Sequence, residues 1–110
     1  MIDISVLIVV RNEERYIIDC IKSIETQFDE NDSWELIIID GNSTDLTKKI
    51  SIDYLNNSKY TWKVLDNKKK TLAPGWNLGI KSAEGKYIVR PDAHSTLHPN
   101  YIKEGLGSLK

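Results

Sequence analysis

A carboxylate and an imidazole lie two residues apart near the end of this chain. The stretch YIVRPDAHSTLHP, residues 87–99, begins with a short apolar run and continues through Pro91 to Asp92 and His94. Turn chemistry explains an aspartate after a proline, but it explains the aspartate–histidine pair less well. Carboxylates and imidazoles both ligate divalent metal ions. The pair therefore raises the question of which polar residues follow the other strands of the chain.

Four apolar runs predict four β-strands. The near-continuous β-branched runs Ile4–Val10 and Trp34–Asp40 are typical of strands buried on both faces, as in a parallel sheet. Tyr60–Asp66 alternates more strongly between apolar and polar residues and indicates a strand nearer an edge, and Lys86–Arg90 is a fourth, short strand. The intervening stretches show helical periodicity instead.

The first predicted helix follows the first strand. Asn12 is its predicted N-cap, and the acidic residues Glu13 and Glu14 lie in its first turn, where the helix dipole favours negative charge. The residues that repeat at the helical period form its apolar face: Ile17, Cys20, Ile21, Ile24 and Phe28.

Two further helices follow the second and third strands. The second begins after Ser43 or Thr44 and runs to about Asn56, and the third begins after Thr71 and runs to about Ala83. Their predicted buried faces comprise Leu46, Ile50 and Tyr54 in the second helix and Trp76, Gly79, Ile80 and Ala83 in the third.

Strands and helices therefore alternate along the whole chain. Gly85 is the predicted C-cap of the third helix, and Pro99 opens a last short helix. This order indicates an α/β fold with a parallel sheet covered by helices, in which the carboxyl ends of all strands meet along one edge. Ligands of open parallel sheets bind at that edge.

Polar residues follow all four strands at this edge. The four segments are Arg11–Glu14, Asp40–Asp45, Asp66–Thr71 and Pro91–Ser95. Turn formation, helix capping or solvation explains each segment alone, but their coincidence favours a site. Carboxylates bind hydroxyl groups and a divalent cation, and the cation and basic side chains bind phosphates. The edge therefore suits a small, polar, phosphorylated ligand.

Composition and missing motifs exclude several classes of protein. The 110 residues allow one domain, and a net charge of −1 does not suit nucleic-acid binding. Cys20 is the one cysteine, so no internal disulfide forms and a cytosolic setting fits. No run is long enough to span a bilayer, and the chain start lacks the pattern of a signal peptide. Dinucleotide, P-loop, zinc-protease and Ser-His-acid hydrolase motifs are absent.

Three ordered stretches resemble the family 2 glycosyltransferases of the GT-A fold. These are ISVLIVVRNEERYIIDCIKSI, ELIIIDGNSTDLT and APGWNLGIKSAEGKYIVRPDAHS, and the resemblance covers nearly the whole chain. The start and the Arg-x-Asp-Ala-His ending are similar to the subgroup around the succinoglycan glucosyltransferases. The chain departs from the family pattern at Val9 and Arg11, at Gly41 in place of a second aspartate, and at His94 in place of the last aspartate of Asp-x-Asp.

This resemblance implies a three-layer α/β/α fold with about four mostly parallel strands in the order 3-2-1-4. It also implies a nucleotide-sugar donor, most commonly a UDP-sugar, that lies across the strand ends. Asp40 would accept hydrogen bonds from the base or ribose. The residues expected to bind the donor nucleotide are Val10, Arg11, Asn12, Glu13, Asp40, Asn42, Lys70, Asn77 and Asp92.

The resemblance further implies a divalent cation bound by Asp92 and His94, or a direct bond from His94 to a phosphate. Because one carboxylate and one imidazole form a softer site than two carboxylates, we expect Mn²⁺ to be accepted at least as well as Mg²⁺. The cation would stabilise charge on the leaving nucleotide diphosphate. The hypothesis fails if neither ion changes the affinity for the donor.

Family members run well beyond this length, and their later half carries the acceptor surface and the general base. We therefore expect residues 1–110 to be one domain, the donor-binding half of an inverting enzyme, truncated at its C-terminus and inactive by itself. A saccharide or lipid-linked acceptor, a cytoplasmic location that includes the inner face of the membrane, and self-association through the truncated edge follow from that expectation. The alternatives are a non-catalytic nucleotide or nucleotide-sugar binding module and, less well matched, a receiver-like signalling domain.

Overall fold

The computed structural model describes residues 2–69 and 72–91. Lys70, Asp92, His94 and the predicted last helix lie outside the described residues. No helix in the described ranges is long and apolar enough to cross a membrane. The described elements, in chain order, are β1 (Ile4–Val10), α1 (Ile17–Glu25), β2 (Trp34–Asp40), α2 (Thr47–Leu55), β3 (Thr61–Asp66), α3 (Leu72–Ser82) and β4 (Tyr87–Val89).

The strands form one parallel sheet in the order β3-β2-β1-β4, which confirms the predicted α/β fold and strand order. β1 and β2 occupy the centre and pair over their full lengths, from Ile4 opposite Trp34 to Val10 opposite Asp40. β3 lies at one edge, as its more polar pattern predicts, and the short β4 lies at the other. The two continuous apolar runs are therefore the two strands that the sheet buries most completely.

Helices cover both faces of the sheet. On one face, α1 and α2 lie over the larger core, to which β1 contributes Val6, Ile8 and Val10. On the other face, α3 lies over a smaller core around Leu7. Alternate residues of each strand point to opposite faces, and both faces are covered, so most consecutive positions of the two central strands are apolar. Cys20 is buried on α1, as its place on the predicted apolar face indicates.

The predicted start of α1 is wrong. The helix begins at Ile17 and its N-cap position is Tyr16, whose side chain makes no capping bond. Asn12 has a positive φ of 55° and its side chain bonds to Thr44 instead. The carbonyl of Glu13 accepts hydrogen bonds from the amides of Tyr16 and Ile17, which forms a single turn ahead of the helix. Asn12 therefore contacts the segment that follows β2 and does not cap α1.

The predicted buried face of α2 is also wrong in part. The helix begins at Thr47, and its fully buried positions are Thr47, Ser51 and Leu55, whereas Leu46 is 56% exposed. The Ser51 hydroxyl is satisfied within the helix, since it donates to the carbonyl of Thr47. The buried face of α2 therefore consists of two hydroxyl residues and one leucine rather than the three larger residues that the apolar pattern predicts. Ile50 and Tyr54 are partly buried at the margin of the core.

Two glycines allow α3 to lie close to the sheet. Gly75 and Gly79 are buried, and a Cβ on Gly79 would lie 2.7 Å from Cδ2 of Leu7. The contact face is centred on this glycine pair, so Ile80 is 45% exposed, contrary to prediction. The predicted core residues that do pack there are Trp76 and Ala83.

The predicted capping role of Gly85 is wrong as well. No glycine in the described part of the chain has a positive φ, which a capping glycine of the left-handed type requires. A Cβ on Gly85 would lie 2.5 Å from the backbone nitrogen of Ser5. Gly85 therefore serves a close approach between the α3–β4 connection and β1.

A carboxylate joins α1 to α2 and to the start of β3. Glu25 accepts hydrogen bonds from the hydroxyls of Tyr54 at 2.5 Å and Tyr60 at 2.6 Å. Burial, together with the bond and charge of Glu25, raises the pKa of Tyr54 to about 12 and raises that of Tyr60 further. The ring of Tyr60 also stacks on Trp34, which stacks on Phe28 in turn.

These tyrosines predict a loss of stability in alkali. An unfolded tyrosine ionises near pH 10, below the folded pKa values, so the stabilising contribution is complete below pH 10 and is lost as the pH rises toward 12. We expect the free energy of unfolding, measured by urea titration, to fall across this range in the wild type. The double variant Tyr54→Phe, Tyr60→Phe should show a smaller fall, whereas Tyr16→Phe, at a half-exposed side chain, should behave as the wild type. Equal pH dependence in the double variant and the wild type would contradict this assignment.

Candidate functional site

The carboxyl ends of the two central strands lie side by side. Val10 is opposite Asp40, and Asp40 is opposite Asp66 on β3. Backbone bonds continue one residue past these strands, since Gly41 N donates to the Val10 carbonyl and Asn67 N donates to the Asp40 carbonyl, both at 2.7 Å. The loops that follow the strands therefore begin in fixed positions next to one another.

Asp40 is held in place by the turn that follows it. Its side chain is nearly buried, and Oδ1 and Oδ2 accept bonds from the Ser43 hydroxyl at 2.7 Å and the Ser43 amide at 3.0 Å. Asn42, exposed and with a φ of 57°, reverses the chain between them. A carboxylate offers about four lone-pair directions, so both oxygens keep acceptor capacity beyond the bonds from Ser43. Asp40 is therefore a fixed acceptor at this edge.

Asn12 ties the loop after β1 to the loop after β2. Its Oδ1 accepts from the Thr44 amide at 2.8 Å and from two weaker donors, the Thr44 hydroxyl at 3.3 Å and the Asp45 amide at 3.4 Å. Its own amide donates to the hydroxyl of Ser43 at 2.9 Å. Ser43 thus contacts both Asp40 and Asn12, so the two predicted ligand-binding residues share one partner.

The same two loops are joined further along. The Glu13 amide donates to the Thr47 hydroxyl at 2.7 Å, and two longer bonds connect Glu14 to the second loop. We call residues 11–14 and 41–47 the interlocked loops. The hydrogen bonds between these loops form without a ligand, so the site needs little reorganisation when a ligand binds.

Positive charge lies on both sides of Asp40. Arg11 is exposed, and its Nε donates to the Gly41 carbonyl at 3.2 Å, which fixes the guanidinium beside the turn. Lys48 Nζ lies 2.7 Å from Asp66 Oδ1. The hydrogen bond that Lys48 donates to Asp66 and the charges of Asp66 and Asp40 raise the pKa of Lys48, so it stays protonated at this edge.

Asn77 lies apart from the interlocked loops, on a pocket between the end of β3 and α3. The pocket has a volume of about 450 Å³, and Asn77 is exposed to it. Three lysines on its wall make it suitable for an anionic group. Its lining comprises Asp66, Asn67, Lys68, Lys69, Pro74, Asn77, Leu78 and Lys81.

β4 pairs with the first three residues of β1, and Arg90, which follows it, lies beside α3. The guanidinium of Arg90 lies 5.3 Å from the ring centroid of Trp76, at cation–π distance. Trp76 also packs against the core around Leu7, which confirms that it is a core residue rather than a free stacking platform. The segment that leads to Asp92 therefore leaves the sheet next to α3.

The structure thus brings six of the nine predicted nucleotide-binding residues into or beside the interlocked loops and places Asn77 on the neighbouring pocket. The other two, Lys70 and Asp92, lie outside the described residues, as does His94. Among residues 2–69 and 72–91, no group of three His, Cys, Asp or Glu side chains is arranged to hold a metal ion. The six residues brought together are Val10, Arg11, Asn12, Glu13, Asp40 and Asn42.

Three residues of this edge were not predicted. Ser43 was assigned to local turn and cap chemistry and Thr47 was given no role of its own, whereas the hydroxyls of both bond across to the first loop. Lys48 was not assigned any role. Their position in the sequence could have indicated a role, since all three fall within the eight residues after Asp40, at the ligand-binding end of the sheet.

A larger cavity of about 640 Å³ opens at the opposite, amino end of the sheet. Its aromatic residues are Phe28, Trp34 and Tyr60, and the two faces of the central Trp34 are stacked on the other two rings. These rings therefore serve the core. The fixed acceptors and cations lie at the carboxyl edge, which remains the candidate site despite the smaller cavity there.

The bonds of Asn12 predict a stability difference between the two left-handed asparagines. Asn12→Gly keeps the positive φ and the amide bond to Ser43 but loses the side-chain bonds to the second loop, so the free energy of unfolding should fall by roughly 1–2 kcal/mol. Asn42→Gly is the matched control and should change it by less than about 0.5 kcal/mol. Urea unfolding measures both. Equal stability of the two variants would show that the Asn12 bonds do not join the loops in solution.

Comparison with known proteins agrees with this arrangement. A family model described as Glycosyl transferase family 2 matches residues 5–110. The putative glycosyltransferase EpsE of Bacillus subtilis is 33% identical over 108 residues, which cover 97% of this chain and 38% of that protein. A dolichyl N-acetyl-alpha-D-glucosaminyl phosphate 3-beta-D-2,3-diacetamido-2,3-dideoxy-beta-D-glucuronosyltransferase of Methanococcus voltae is 29% identical over 104 residues, which cover 94% of this chain and 32% of that protein. The chain thus spans about a third of the length of these curated relatives.

Solved structures agree on the fold. TarS of Staphylococcus aureus in complex with UDP has a TM-score of 0.83 at 25% identity, covering 96% of this chain and 31% of that chain. The mannosyltransferase PcManGT of Pyrobaculum calidifontis, in complex with GDP-Man and Mn²⁺, has a TM-score of 0.86 at 19% identity, covering 94% of this chain and 31% of that chain. These likenesses confirm the predicted GT-A fold, and the match of the family model decides the assignment. The chain belongs to glycosyl transferase family 2.

Proposed function

We propose that this chain is the donor-binding part of a glycosyltransferase, which transfers a sugar from a nucleotide-diphosphate sugar to an acceptor. The observation that carries the proposal is the position of Asp40. It is nearly buried, fixed by Ser43, and adjacent to the interlocked loops at the edge where parallel sheets bind ligands. A fixed carboxylate of this kind suits the N–H of a base or the hydroxyls of a ribose.

The proposed nucleotide lies along the strand ends, with its base and ribose toward Asp40 and Asn12. Arg11, Lys70 and the lysines of the β3–α3 pocket supply positive charge for the diphosphate. Asn77, exposed on that pocket, is a hydrogen-bonding partner for the donor. UDP is the proposed nucleotide because the TarS structure, at 25% identity, was determined with UDP.

A divalent cation, Mn²⁺ or Mg²⁺, is the proposed cofactor, and Asp92 with His94 would hold it. The support is chemical, since a carboxylate and an imidazole both ligate divalent cations and these two residues lie two positions apart in the sequence. The bound cation would supply positive charge to the diphosphate as the glycosidic bond breaks. Asp40 and Arg11 would meanwhile orient the donor from their fixed positions.

The acceptor and the general base are proposed to belong to sequence beyond these 110 residues, since the chain spans about a third of its relatives. A saccharide or lipid-linked acceptor in polysaccharide or glycoconjugate synthesis is the proposed class. The second candidate is a binding module that holds the nucleotide without transfer. A nucleotide held by Asp40 and Arg11 fits either candidate, and turnover with a saccharide acceptor separates the two.

Calorimetric titration of UDP, with and without Mn²⁺, tests this proposal. We expect Mn²⁺ to tighten binding in the wild type, and His94→Ala to remove about tenfold or more of that gain. Asp40→Asn should weaken binding both with and without Mn²⁺, because Asp40 contacts the nucleoside. His98→Ala, at the second histidine of the same segment, is the matched control and should bind as the wild type does.

Failure of UDP, GDP and TDP to bind in every condition would contradict a donor site in this chain. Binding of GDP or TDP but not UDP would support the site and correct the base. Binding that is unchanged by Mn²⁺ would remove the cation from the proposal and leave His94 as a direct phosphate donor.

A further inference from the structure

Glu35 is a fully buried carboxylate at the amino end of the sheet, opposite the candidate site. It is the second residue of β2 and has no exposed surface. Its Oε2 accepts from the Ser5 hydroxyl at 2.6 Å and from the Glu84 amide at 2.7 Å. Its Oε1 lies 3.6 Å from Lys63 Nζ and has no hydrogen-bond partner among the described residues.

The contacts of Glu35 connect β2 to three other parts of the fold. Ser5 belongs to β1, Lys63 to β3 and Glu84 to the connection from α3 to β4. Lys63 Nζ also donates to the Ser82 carbonyl at 2.8 Å, at the end of α3. The Gly85 amide donates to the Ser5 hydroxyl at 2.8 Å, so two successive amides of the connection are fixed by this network.

A buried carboxylate contributes little net stability to a sheet because its desolvation offsets the contacts that it makes. Removing a carboxylate from water carries a large desolvation cost, and one lysine at 3.6 Å offsets that cost incompletely. The best-attested benefit of such groups is that they select one register among several. The question is therefore which register needs to be selected here.

β4 is the strand whose register is least determined by its own sequence. It has three residues, it pairs with β1 alone among the strands of residues 2–69 and 72–91, and its central residue Ile88 is 41% exposed. An edge strand this short has little apolar pattern with which to resist slippage. By contrast, β1 and β2 pair through seven positions with both faces buried. The β4 register must be set by what precedes it, which is the connection bonded to Glu35 and Ser5.

The packing at Gly85 shows that this connection is closely fitted. A Cβ there would lie 2.5 Å from the amide nitrogen of Ser5, and the next backbone bond joins Tyr87 N to the Asp3 carbonyl at 2.9 Å. A slip of one residue would move the chain by about 3.3 Å and turn each β4 side chain to the other face. It would also move the segment that follows Val89, which contains Asp92.

We propose that Glu35 is a positioning residue that fixes the register of β4 and thereby the point at which the chain leaves the sheet ahead of Asp92. The part concerning Asp92 rests on the proposed donor-binding function, whereas the part concerning β4 does not. Glu35 acts from the far end of the sheet and does not touch the donor.

Hydrogen exchange of single amides tests the first part. In Glu35→Gln, the amides of Gly85 and Tyr87 should exchange about tenfold faster or more, while amides within β1 and β2 keep their protection. Glu84→Gln is the matched control, because it removes an exposed carboxylate from the same connection and keeps the backbone amide. Unchanged protection of β4 in Glu35→Gln would overturn the proposal, as would an equal loss across the whole sheet.

A second variant covers the case in which Glu35→Gln does not fold. Ser5→Ala removes the acceptor of the Gly85 amide and one donor to Glu35, and it leaves the carboxylate paired with Glu84 N and near Lys63. Selective loss of protection at Gly85 and Tyr87 would support the proposal, and full protection there would overturn it.

A double-mutant cycle on UDP affinity tests the second part. Glu35→Gln should weaken UDP binding by about tenfold in the wild-type background and by less than about twofold in an Asp92→Ala background, because the effect passes through Asp92. Equal weakening in both backgrounds would overturn the link to Asp92. If the wild-type chain binds no nucleotide, the proposed function fails, and the exchange experiment still decides the role of Glu35 in β4.

Discussion

The hydrogen bonds that join the loops after β1 and β2 are the interaction on which the candidate site depends. Asn12 accepts from the second loop, and Ser43 contacts both Asn12 and Asp40. Two asparagines with positive φ turn these loops toward each other, at a backbone cost of about 1–2 kcal/mol for ordinary residues. Without the bonds between the loops, Asp40 would keep its place on β2 but lose the ordered surroundings that make it a selective acceptor.

Polar groups are buried at both ends of the sheet, and an apolar layer separates them. At the carboxyl end, Asp40 and the interlocked loops form the proposed donor site, and at the amino end Glu35 bonds to the connection that leads into β4. Between them, β1 and β2 contribute side chains that are almost wholly buried. The central strand pair therefore keeps the two polar ends of the sheet in a fixed position relative to each other.

Most of the fold could be predicted from the sequence because β1 and β2 are continuous apolar runs, a pattern that only a sheet covered on both faces requires. The same reasoning located Asp40 and Asn12 at the correct edge. It failed where tertiary bonds replaced local ones: Asn12 bonds to the next loop rather than to α1, and hydroxyl residues occupy the buried face of α2. Glu35 was overlooked as well, although a charge within an otherwise apolar strand was a visible signal.

The measurement that tests the central claim most directly is amide chemical-shift mapping of the chain by NMR during titration with UDP and Mn²⁺. A donor site at the carboxyl edge predicts that the largest shifts fall in residues 10–13, in residues 40–47 and in the segment that contains Asp92 and His94. Amides around the larger cavity at Phe28 and Trp34 should be unaffected. Shifts concentrated at that amino-end cavity, with the interlocked loops unchanged, would contradict the account.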